Sequence, residues 1–158
     1  MKLLKMILIP FIIISVSIVS CSDDDLVKTG GGSTLIIDPT ITQTDQFGNV
    51  LGGDTTDWCS NSNTLFRFFP AYPNPANDTV KLRFQDPEQD TISILYLKSN
   101  GDTAYHVRDL VINPGVYEVS FNAREHLFYS GIMRFLIRSK RFPDGGNFCR
   151  YYGDVQFY

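Results

Sequence analysis

The chain has 158 residues, 43% hydrophobic and 20% charged, with a formal net charge of −3. That length holds one globular domain of about 100–200 residues with appendages. Charge this low, with 13% aromatic residues, excludes a wholly disordered chain. The lack of a basic excess argues against a nucleic-acid partner, which needs phosphates neutralised.

The N-terminus reads as an address. Lys2 and Lys5 are the only charges before Cys21, and Met6–Val19 is apolar apart from interruptions at Pro10, Ser15 and Ser17. A positive start followed by an apolar run shorter than the ~20 residues of a spanning helix is the pattern of a cleaved signal peptide over residues 1–20. Ile18-Val19-Ser20-Cys21 resembles the bacterial lipobox, with a branched apolar residue at −3, a small one at −1, and then the obligatory Cys. The chemistry accounts for the residue types. A thiol is needed for the thioether to diacylglycerol, and a small residue must precede it in the peptidase. Cys21 is therefore the expected lipidation site, and two or more acyl chains give stable anchoring at ~0.8 kcal/mol per buried CH₂. The expected location is the outer membrane, with the membrane as partner through the lipid. Asp23-Asp24-Asp25 follows, and two readings stand: it resembles the acidic export signal of surface lipoproteins in bacteria with type IX secretion, or it is a solvated tether.

Residues 21–57 read as a flexible tether, with Gly30-Gly31-Gly32-Ser33 and many Thr, Asp, Gln and Gly. Leu35-Ile36-Ile37 is at most a short strand added to a domain edge. Within this stretch Gly52-Gly53-Asp54-Thr55-Thr56-Asp57 is acidic but lacks the spacing of a calcium loop.

From residue 58 to 158 the pattern is all-β, with about seven strands and no helical period. Val80, Leu82 and Phe84 alternate with Lys81, Arg83 and Gln85. Thr91–Lys98 is apolar on both faces, as expected for a central or covered strand. Asn100-Gly101 predicts a tight hairpin into Thr103–Leu110. Asn113-Pro114-Gly115 predicts a turn into Val116–Asn122, and Gly131–Arg138 and Phe148–Tyr158 complete the set. Turns at this spacing predict an antiparallel β-sandwich.

Tyr72-Pro73-Asn74-Pro75-Ala76-Asn77 is a proline-set corner in which φ is fixed on both sides of Asn74, whose amide can bond nearby backbone. This run resembles the opening of the Ig-like C-terminal domains of the type IX sorting class, which are similar to the Ig-like domain of flagellar hook-capping proteins. Pro114-Gly115-Val116-Tyr117 and Ser130-Gly131-Ile132-Met133-Arg134-Phe135 resemble two later elements of that family, in the same order. The resemblance covers residues ~65–158 and implies an Ig-like sandwich in which Tyr72, Pro73, Asn74, Pro75 and Asn77 set a turn. It implies no catalytic residue.

With Cys21 lipidated, Cys59 and Cys149 form an even pair in an oxidising compartment, and a disulfide is expected between them rather than two free thiols. His106 and His126 lie far from either cysteine and lack zinc spacing, so no metal site is expected. Four Asp-Thr-X triplets, at Asp54, Asp78, Asp90 and Asp102, resemble a short O-glycosylation motif, though turns are rich in Asp-Thr and chance is the better explanation. No nucleophile elbow, metalloprotease motif or phosphate loop occurs, so neither enzyme activity nor a cofactor is expected. Aromatics such as Tyr129, Tyr151, Tyr152, Phe157 and Tyr158, with Phe142 and Phe148, read as sandwich core or as a patch for a protein or glycan. The expected function is therefore a structural or binding role for one Ig-like domain at the cell surface. The alternative is a sorting module that engages the type IX machinery.

Overall fold

The computed structural model describes residues 36–59, 66–98, 100–141 and 151–158. The chain divides into two units, Met1–Ser33 and Thr34–Tyr158, and all described residues lie in the second. It is all-β: besides strands, the described residues hold one 3₁₀ turn, Arg124–His126, and no helix long and apolar enough to cross a membrane.

Among the described residues, nine antiparallel strands form three groups. A hairpin pairs β1 (Thr42–Thr44) with β2 (Val50–Gly53). β3 (Arg67–Phe68), β4 (Thr79–Asp86) and β7 (Gly115–Asn122) make a three-stranded sheet in the order β3-β4-β7. β5 (Asp90–Leu97), β6 (Thr103–Ile112), β8 (Gly131–Ser139) and β9 (Tyr152–Phe157) make a four-stranded sheet in the order β6-β5-β8-β9. The seven strands of these two sheets are the sandwich expected from the alternation pattern, and the hairpin is additional.

Alternation sets the core. In the smaller sheet Val80 faces Phe121, Leu82 faces Val119 and Phe84 faces Tyr117, all on the inner surface, while Lys81, Arg83 and Gln85 point outward. In the larger sheet Ile94 pairs with Ile137, Tyr96 with Phe135 and Met133 with Val155. These side chains meet in one buried cluster, where Phe121 packs edge-on against Phe135 at 4.8 Å and against Tyr96 at 5.2 Å. β5, apolar on both faces, is central between β6 and β8, and Leu95 on its outer face is only 1% exposed. Gly101, at φ 87°, turns the β5–β6 hairpin, and Lys98 N–H closes it on the Asp102 carbonyl at 2.7 Å.

The tether expected over 21–57 requires correction in its second half. Residues 36–57 belong to the compact unit: Ile41, Thr42 and Thr44 are buried, and Asp57 is buried beside Trp58. The apolar count was too low for a core of its own, but the hairpin borrows one. It is held by backbone and side-chain hydrogen bonds to a later part of the chain, which leave no hydrophobic period to read. Asp45 closes its loop by accepting from the N–H groups of Phe47 and Asn49 at 2.8 and 2.9 Å.

Candidate functional site

The proline corner is the most densely bonded element. Asn74 is fully buried, and its Nδ2 donates to the carbonyls of Thr42 at 2.7 Å and Asp154 at 2.9 Å. Its Oδ1 accepts from Gln156 N–H at 3.0 Å, and its backbone exchanges two hydrogen bonds with Thr44. The expectation that Asn74 bonds nearby backbone holds in space but not in sequence, because its partners are β1 and β9. Pro73 and Pro75 flank it half-buried, each after a cis peptide bond, and Asn77 is exposed. Ala76 continues the corner by pairing with β9, donating to the Gln156 carbonyl and accepting from Tyr158 N–H.

Tyr72 is buried and donates its hydroxyl to Glu118, which also pairs with Lys81 Nζ at 2.8 Å. Hydrogen bonds from Lys81 and Tyr72 hold the Glu118 carboxyl below its ordinary value, and the same contact with Glu118 raises the Tyr72 phenol.

Cys59 is 1% exposed and exchanges backbone hydrogen bonds with Phe68. Cys149, its expected partner, lies outside the described residues, as do Cys21, Phe142 and Phe148. Trp58 seats beside it, with its ring centroid 4.9 Å from that of Phe68. The indole occupies the space above Gly153, where an added Cβ would come within 2.0 Å of the ring. A side chain at 153 would expel the tryptophan.

The two histidines come together, although they are far apart in sequence. Their ring centroids are 5.8 Å apart, with Phe121 stacked on His126 at 4.5 Å. Tyr96 hydroxyl bonds His126 Nδ1 at 3.0 Å, and His106 Nε2 donates to the Ser120 carbonyl at 2.9 Å. Burial depresses the His106 pKa. No cluster of three or more His, Cys, Asp or Glu placed to hold a metal ion occurs among the described residues.

The aromatic group splits. Phe157 is core, Tyr151 and Tyr152 are half-buried, and Tyr129 and Tyr158 are exposed at 66% and 52%. Neither exposed ring lines the polar concavity of the larger sheet.

That concavity lies on the larger sheet, in a groove of about 500 Å³ lined by Thr91, Ser93, Tyr105, Asp109, Arg138 and Lys140 with Ser139. A bulge in β6 builds it. Two residues, Arg108 and Asp109, oppose Ser93 on β5, and Asp109 sits in the left-handed region at φ 48°. Ser93 Oγ accepts the Asp109 N–H at 2.9 Å. The groove was invisible in the sequence, since neither the bulge nor its register shift follows from residue alternation. The one available signal was Arg108-Asp109 breaking the pattern of Thr103–Leu110.

Comparison with protein-family models, curated proteins and solved structures finds no match to this chain.

Proposed function

We propose that this protein is an outer-membrane lipoprotein anchored through acyl chains on Cys21 and facing the cell exterior. Its single Ig-like sandwich serves by binding or as a structural part, with no catalytic residue, metal or cofactor. The observation that carries the reading is Ile18-Val19-Ser20-Cys21 behind a short apolar run, ahead of one compact β unit. The strand order supports the Ig-like assignment. With β3 as the first strand, the first, second and fifth lie opposite the fourth, third, sixth and seventh, a Greek-key arrangement of the Ig type. Within this reading Cys59 pairs with Cys149, tying the entry of the sandwich to its last hairpin. Closing a loop that long is worth up to roughly 4–5 kcal/mol in the chain-entropy model.

Replacing Cys21 by Ser tests the anchor. Wild-type protein is expected in the membrane fraction and is removed from intact cells by added protease, whereas Cys21→Ser leaves the membrane fraction. A C21S chain that partitions like wild type would sink the lipid anchor. Protection in intact cells, with digestion only after the outer membrane is opened, would place the domain in the periplasm. The alternative, a type IX sorting module, is favoured by the Tyr72–Asn77 motif and requires that the domain be cut from the mature protein.

A further inference from the structure

We propose that the groove on the outer face of the larger sheet binds a short acidic saccharide. Arg138 and Lys140 hold its carboxylate, Asp109 and Thr91 take its hydroxyls, and Tyr105 packs against the ring. The inference rests on the reading of this sandwich as a binding module and names what it binds.

Size and lining agree with that class. A groove of about 500 Å³ falls within the range of small-molecule sites. Its wall offers guanidinium and ammonium donors, a carboxylate acceptor and hydroxyls that do both. A polyol uses such a mixture, whereas an apolar ligand would leave the groups unpaired.

Charge narrows the class further. Arg134, Arg141, Arg124 and Lys81 each pair with a carboxylate, but no described carboxylate pairs with Arg138 or Lys140. With Asp109 the groove carries one net positive charge in a chain of net −3. One carboxylate on the ligand balances it. A polyanion would meet both Asp109 and the overall negative field.

The local backbone is built to present these groups. Asp109 takes the left-handed backbone conformation, which few non-glycine residues adopt. It is kept there by Ser93, whose hydroxyl takes the Asp109 N–H at 2.9 Å. Ser93 is thus a positioning residue, and the bulge turns the Asp109 carboxylate to the groove. Arg108 stacks over Tyr105 at 4.0 Å, fixing the aromatic wall.

The test is calorimetric titration of the purified full chain with an aldobiouronic acid, glucuronic acid linked to galactose. Its carboxyl-reduced neutral counterpart, acetate and inorganic phosphate serve as comparisons. The acidic disaccharide is expected to saturate, to weaken with ionic strength, and to bind at least tenfold more tightly than the neutral one or either simple anion. Arg138→Gln with Lys140→Gln should lower its affinity at least tenfold while the melting temperature stays unchanged. If that variant is less stable, the salt dependence of the wild type, present for the acidic disaccharide and absent for the neutral one, carries the same information. Equal binding of the neutral disaccharide, equal binding of acetate or phosphate, or no saturation at tens of millimolar would each overturn the proposal. Such a failure with the protein still lipid-anchored and removed by protease leaves the surface-module reading standing. Loss of the anchor overturns that reading whatever the disaccharide does.

Discussion

Asn74 and Tyr72 sit two residues apart in the same corner, yet they differ in what their loss should do. Asn74 fills three side-chain hydrogen bonds in a site with no water access. Truncation removes a partner from the buried Thr42 carbonyl and from the part-buried Asp154 carbonyl and Gln156 N–H, each at up to roughly 1–3 kcal/mol. Asn74→Ala is therefore expected to cost about 3–5 kcal/mol by denaturant unfolding. Asn74→Asp should do no better, because an anionic oxygen would face the two carbonyls. Tyr72→Phe removes only a hydroxyl from a carboxylate that keeps Lys81, so about 1 kcal/mol or less is expected. Similar losses for Asn74→Ala and Tyr72→Phe would mean that the corner acts by chain stiffness alone. The prolines and the asparagine were legible as a turn. That the asparagine staples β1 to β9 was not, because its partners are backbone groups that any sequence supplies.

At the scale of elements, alternation exposed β4, β5, β7 and β8 because each buries one face against the opposite sheet, and β5 keeps Leu95 buried on its other face as well. The hairpin β1–β2 offered no such pattern, with Thr42 and Thr44 buried for their hydrogen bonds rather than as apolar surface. Asp38 N–H and the Ile36 carbonyl both bond the Gln156 side chain, at 2.9 and 2.7 Å, extending the attachment along β9. Limited proteolysis of the full chain should consequently yield a resistant core beginning near residue 34, read by mass. A stable core beginning near residue 58 would restore the longer tether.

The histidine pair between β6 and the 3₁₀ turn adds a pH dependence. Burial lowers the His106 pKa, so the folded protein binds its proton less readily than the unfolded chain. Stability from this group is complete above the ordinary value of ~6.5 and is lost as pH falls through the lowered one. His126, whose positive charge would add to the penalty, and Glu125, which would relieve it, face the same ring, and Ser120 receives its N–H. His106→Gln keeps a donor for Ser120 without the titration. Its melting temperature should fall less than that of wild type between pH 7 and pH 5. Parallel curves would place the acid sensitivity elsewhere.

For the whole molecule, two kinds of information lie in separate stretches. In the proposed reading the charge and apolar run of residues 1–21 carry an address that no packing argument supplies, while the described residues from 36 onward carry a filled sandwich. Its sheet membership was only partly legible. Turns such as Asn100-Gly101 announce a hairpin within one sheet, whereas Asn113-Pro114-Gly115 joins strands of different sheets with no distinct signal. Long-range pairing of that sort is decided by the two inner faces meeting, which depends on residues from every strand at once. The same holds for the groove, whose walls come from three strands and a bulge.

The central claim is that the sandwich is the resident working part of an anchored protein rather than a signal removed during export. Intact-mass spectrometry of the membrane fraction tests it most directly. The account predicts a chain that begins at an acylated Cys21 and still carries the residues through Tyr158. A membrane-bound species ending before residue ~65 would contradict it, assigning the sandwich to sorting and leaving the N-terminal segment as the mature product.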